Sequence, residues 1–119
     1  MAAAGLSIRI DLATGLRIGP GKIALLEAVR ATGSISAAAR SLGMSYRRAW
    51  LLVEEVNTGL REPAVAAESG GRHGGGATLT PVGERVIALY REIESQAASA
   101  TKRQFDALGT LARREKIPA

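Results

Sequence analysis

Ser45, Tyr46, Arg47 and Arg48 stand in a row where a helical run begins, bringing a hydroxyl, a phenol and two guanidinium groups to one short stretch. Residues of this kind bond fixed polar edges. A guanidinium meets guanine O6 and N7 with two parallel donors, and a hydroxyl bonds a phosphate oxygen. The N-terminus of a helix itself favours phosphate. A second basic point, Arg72 with His73, lies in "SGGRHGGG", where five glycines (Gly70, Gly71, Gly74, Gly75 and Gly76) strip away side chains so that the backbone approaches a surface closely. Both features point to nucleic acid.

Other chemistries lack their parts. His73 is the single histidine and there is no cysteine, so thiolate metal sites, disulfides and thiol or histidine-dyad catalysis are not expected. Glu54 and Glu55 are adjacent, about 100° apart on a helix, and do not form an acid/base pair. "GGRHGGG" lacks the Gly-Lys-Ser/Thr ending of a nucleotide-binding loop. No catalytic residue, metal ligand or cofactor is therefore assigned. The formal charge of +5 and the pI near 10.4 suit a polyanionic partner. No window approaches the roughly 20 apolar residues of a membrane span, and "MAAAGLSIRI" lacks the charged start and apolar run of a signal peptide, so a cytoplasmic protein without a membrane partner is expected.

The elements that must position these residues follow from periodicity. "LSIRIDL" alternates Leu6, Ile8, Ile10 and Leu12 against Ser7, Arg9 and Asp11, which predicts a half-buried strand; "LRIGPG" reads as an irregular connection. Ile23, Leu26 and Val29, widened by Leu25 and Ala28, predict a helix over about Gly21–Ala31 that Gly33 ends. Ser34 caps the next helix, "ISAAARSL", which stops at Gly43. Ser45 caps the third, "YRRAWLLVEEVNTGL". "PAVAAE" and "ATLT" flank the glycine-rich loop as a hairpin, and the N-terminal strand is expected to join it in a three-stranded sheet. Thr80 and Pro81 open a last helix expected to reach Arg103 or beyond, with Val82, Val86, Leu89, Ile93, Gln96 and Ala100 as a heptad-like seam. Phe105, Leu108 and Leu111 extend that seam, with Gly109 as its weak point, and "RREKIPA" reads as a frayed end.

Ala38, Leu42, Met44, Ala49 and Leu52 fall where two steeply crossed helices must touch, with Ala39 small at their closest approach: the layout of a helix-turn-helix. In the third helix Ala49, Leu52, Val53 and Val56 share one side, while Arg47, Arg48, Leu51 and Glu54 lie away from it. Tyr46 and Trp50 share a flank, and Trp50 reads as a packing residue. Beside such a unit the hairpin is a wing. The candidate DNA-facing set is Ser34, Ser36, Ser45, Tyr46, Arg47, Arg48, Leu51, Arg72 and His73; the candidate dimer set is Val82, Val86, Leu89, Ile93 and Ala100. Taken alone, Arg47 and Arg48 also describe a solvated helix face, and a winged helix also serves as a protein-interaction or effector-sensing module without its own operator.

The ordered combination "GSISAAARSLGMSYRRAW", "GGRHGGG" and "LTPVGERVIALY" closely resembles the DNA-binding domain of ModE-type molybdate-responsive regulators of bacteria, from about Pro20 to about Ala107. The resemblance implies a winged helix related to the LysR type, mainly α with a small β-hairpin wing, and a homodimer held through long C-terminal helices. It implies a recognition helix at Ser45–Leu60 and a wing at Ser69–Ala77, with DNA contacts from Ser45, Tyr46, Arg47, Arg48, Arg72 and His73. The expected organisation is residues 1–80 as the winged helix-turn-helix (wing 64–80) and 81–119 as a helical dimerisation extension. The expected partner is double-stranded DNA bearing a near-palindromic operator. Family members continue into molybdate-binding modules that the sequence does not include, so molybdate is not expected to bind directly.

Overall fold

A computed structural model describes residues 5–68 and 76–114. The N-terminal alternation pairs over a shorter span than expected. Strand β1 is Ile10–Asp11, and it folds back at once onto β2, Arg17–Ile18, in register Ile10↔Ile18 and Asp11↔Arg17. The turn closes because the Leu12 N–H donates to the Leu16 carbonyl and the Gly15 N–H to the Leu12 carbonyl, each at 2.9 Å. The stretch read as an irregular connection thus supplies β1 with its partner. The expected three-stranded sheet is corrected: the described strands form two separate antiparallel pairs.

Helix α1 spans Pro20–Thr32, with proline in its first turn where no amide partner is needed, and buries Ile23, Leu25, Leu26 and Val29. Helix α2 spans Ile35–Ser41 and α3 spans Tyr46–Gly59. β3, Val65–Ala67, pairs with β4, Ala77–Leu79, in register Val65↔Leu79 to Ala67↔Ala77. Helix α1 is the hub, packing on α2, α3, β4 and α4 (Pro81–Ala100). The core is aliphatic apart from Tyr90, and among the described residues no polar or charged one is buried except through that phenol. The fold is a winged helix-turn-helix.

The last helix differs from its expected course. It stops at Ala100, and α5 covers Lys102–Leu111. The break is at Thr101, whose hydroxyl donates to the Ala97 carbonyl at 2.6 Å, a local bond that competes with regular helix propagation. Gly109, the expected weak point, lies inside α5.

Helix α4 is clamped to α1. Arg91 reaches Glu27 with two nitrogens, at 2.7 and 3.3 Å, and Glu94 at 2.8 Å, while Arg30 pairs with Glu84 at 3.1 Å. The hydrogen bond from Arg91 holds the Glu27 carboxyl below its ordinary pKa, and the two carboxylates raise that of Arg91. The buried Tyr90 hydroxyl donates to the Ile8 carbonyl at 2.7 Å and ties down the N-terminal segment; desolvation raises its pKa.

Candidate nucleic-acid interface

The turn between α2 and α3 is built by backbone bonds that Gly43 permits. Its φ of +68° is left-handed, a conformation that suits glycine, and it lets the Met44 N–H return to the Ala39 carbonyl at 3.0 Å. Ala38, Ala39 and Ala49 are buried between the helices and Met44 and Leu52 partly so, as the spacing predicts. Leu42 departs from that expectation and is exposed.

Ser34 and Ser45 are both caps. The Ser34 Oγ accepts the Ala37 N–H at 2.9 Å and the Ser45 Oγ accepts the Arg48 N–H at 3.1 Å. A capping hydroxyl uses a lone pair and keeps its own O–H to donate. Ser45 is exposed, so its O–H is open to a phosphate oxygen; Ser34 is half-buried. Ser36 is exposed on α2 and accepts from Arg40 Nη1 at 3.2 Å.

The inner side of α3 carries buried Ala49, Val53 and Val56; Tyr46, Arg47, Arg48 and Leu51 are all exposed. Ser45, Arg47, Arg48, Leu51, Leu52 and Glu55 line one shallow groove along the helix. Lys22, Arg30 and Arg91 are held in ion pairs, but among the described residues Arg47 and Arg48 make none. Two guanidinium groups are therefore presented to solvent by the first turn of a helix fixed at its base. Arg72 and His73 lie outside the described residues.

Two positioning residues escaped the sequence reading. Asn57, on the last turn of α3, accepts the N–H groups of Ala64 (2.8 Å) and Val65 (3.1 Å) on its Oδ1 and donates from Nδ2 to the Val65 carbonyl at 3.0 Å. It fastens α3 to the root of the wing. Thr80, foreseen only as a cap, also donates its hydroxyl to the Pro63 carbonyl at 2.6 Å while accepting the Gly83 N–H at 3.1 Å. At Gly83 a β-carbon would overlap the Ala64 carbonyl oxygen, so the start of α4 lies directly on the wing root. On the other side the Ala77 N–H bonds the Gly33 carbonyl at 2.8 Å, joining β4 to the α1–α2 junction.

Of the seam residues, Val82 and Val86 are half-buried, with Val86 packed on the core, while Leu89 and Ile93 are exposed at 43% and 45% and Ala100 is exposed. The apolar row on α4 thus passes from the domain's own core to open surface. Among the described residues no His, Cys, Asp or Glu cluster could hold a metal ion, and no helix is long and apolar enough to cross a membrane.

No family model matches the chain. Curated relatives do. It is 53% identical over 85 residues to "Molybdenum-pterin-binding protein MopB" of Rhodobacter capsulatus, covering 71% of this chain and 32% of that protein. It is 38% identical over 99 residues to "Molybdenum transport protein ModE" of Azotobacter vinelandii, covering 83% and 37%. With the "DNA-binding transcriptional dual regulator ModE" of Escherichia coli (strain K12) it shares 38% identity over 89 residues, covering 75% and 32%. The chain spans about a third of the length of the curated relatives it matches. Over that third, the chain is a homologue of the ModE-type regulators.

Proposed function

We propose that the chain binds double-stranded DNA sequence-specifically as part of a dimeric cytoplasmic transcriptional regulator, and that the genes it controls are linked to molybdenum. The observation that carries this reading is the first turn of α3: Ser45, Tyr46, Arg47 and Arg48 exposed together, with neither arginine in an ion pair among the described residues. Leaving two guanidinium groups unpaired on a rigid helix end suits a partner that brings its own acceptors. Arg47 and Arg48 read base edges in the major groove, while Ser45 and the wing residues Arg72 and His73 hold the backbone. Ser34 and Ser36, at the start of α2, lie against the flanking phosphates. Val82, Val86, Leu89, Ile93 and Ala100 form the dimer seam, and a two-fold dimer places its half-sites about 34 to 36 Å apart, or a multiple of that.

The relatives' names support the regulatory reading: one is a DNA-binding transcriptional regulator, and others are named for molybdenum transport or for binding molybdenum-pterin. The test is selection from a pool of random duplexes at two salt concentrations. A near-palindromic consensus is expected. Binding that falls with salt but yields no consensus would reduce the protein to a backbone binder. No binding at all would favour a protein-interaction module instead.

A further inference from the structure

Arg47 and Arg48 account for the polar part of the α3 surface and leave its aromatic flank without a role. The chain has four aromatic rings; Tyr90 is buried, Phe105 is half-buried, and the other two, Tyr46 and Trp50, stand on α3 at 57% and 45% exposure. Trp50, read as a packing residue on the flank, stands outside the core, which is completed without it. Four residues apart, the two rings lie on one flank of the helix. Asn57, seven residues beyond Trp50, continues that flank and bonds β3, so the aromatic pair faces the wing side of α3.

We propose that Tyr46 and Trp50 form an apolar edge that reads the C5-methyl groups of thymine in each half-site. This rests on the DNA-binding function proposed above. If α3 enters a major groove, its first two turns lose their water, and an aromatic flank gains from that only where it meets apolar surface. Paired bases keep their faces stacked, so the rings have no base face to cover; the apolar feature on the major-groove edge is the thymine methyl. The flank is continuous with the turn that carries Arg47 and Arg48, whose guanidinium groups meet the neighbouring base edges. The half-site is then composite, with guanine read by arginine and thymine read at its methyl by the rings.

The test starts from the selected consensus. Each thymine in a half-site is replaced by uracil, which removes the methyl and leaves the pairing edge and backbone intact, and Kd is measured by fluorescence anisotropy. With the unmodified protein, at least one position is expected to weaken binding about three- to five-fold, the loss anticipated for one buried methyl. In Trp50→Ala or Tyr46→Ala that penalty falls to about one-fold. Uracil without effect at every position overturns the proposal using the unmodified protein alone, so the folding of a variant cannot decide it. A uracil penalty that persists in both variants, or that disappears only in Leu51→Ala, also overturns it while leaving the DNA-binding function standing. Absence of any consensus sinks both together.

Discussion

Replacing Asn57 with alanine removes three hydrogen bonds at the join between α3 and the wing root. Two of them satisfy the backbone N–H groups of Ala64 and Val65, both buried residues, which alanine leaves without that acceptor. An unpaired buried donor costs about 1 to 3 kcal/mol, and because Asn57 is only half-buried, water recovers part of the loss. The expected destabilisation is about 2 to 4 kcal/mol. In a domain of this size that lowers Tm by on the order of 10 to 20 °C. Urea unfolding followed by circular dichroism measures it at one fixed protein concentration, since an associating protein gains apparent stability by mass action. Thr58→Ala, one residue along and exposed, is the control and should stay within about 0.5 kcal/mol of the parent. An Asn57→Ala variant as stable as the parent, or no less stable than Thr58→Ala, would refute the claim that this side chain fastens the helix to the wing.

Three further outcomes are expected. Arg47→Ala or Arg48→Ala should cost about 1 to 3 kcal/mol of binding and relax preference at one base position, whereas Arg72→Ala should weaken all sequences alike and flatten the salt dependence; titrations on consensus and scrambled duplexes separate the two. Gly83→Ala should destabilise by about 1 to 3 kcal/mol through overlap with the Ala64 carbonyl, reversing the usual helical gain, while Gly109→Ala, which meets nothing within 4 Å, should stabilise α5 by about 0.5 to 1 kcal/mol; thermal melts of both settle the sign. The ion pair of Glu27 with Arg91 lowers the Glu27 pKa in the folded state, so its contribution is full above the ordinary value of 4.5 and is lost as pH falls below that through the folded value; Glu27→Gln should flatten this part of the acid limb of stability, read by urea unfolding at pH 7 and at a series of pH values below 4.5.

Features legible in the sequence were those decided within a few residues. Ser34, Ser45 and Thr80 cap because their oxygens reach an amide three residues on, and Gly43 turns the chain by its own conformation. The buried side of α3 follows from helical phase alone. What stayed hidden depends on distant partners. Asn57 looks like any polar residue late in a helix until Ala64 and Val65 fold back onto it. β2 is two residues long, too short to show a period, and is defined by pairing with β1. Thr101 ends α4 through a back-bond that any helical threonine could make, so composition gave Gly109 more weight than it deserved. The exposure of Trp50 was not legible because it depends on how the core closes, which here is with aliphatic residues and one tyrosine.

The contact of Gly83 with Ala64 leaves no compressible layer between α4 and the wing root, and the Thr80 hydroxyl bridges the same join. A turn of α4 about its axis therefore cannot be taken up by side chains sliding over one another; it moves the wing root with it. The apolar row through Leu89 and Ile93 is carried on the same rod. The wing root and the exposed apolar row are thus built on one rigid support.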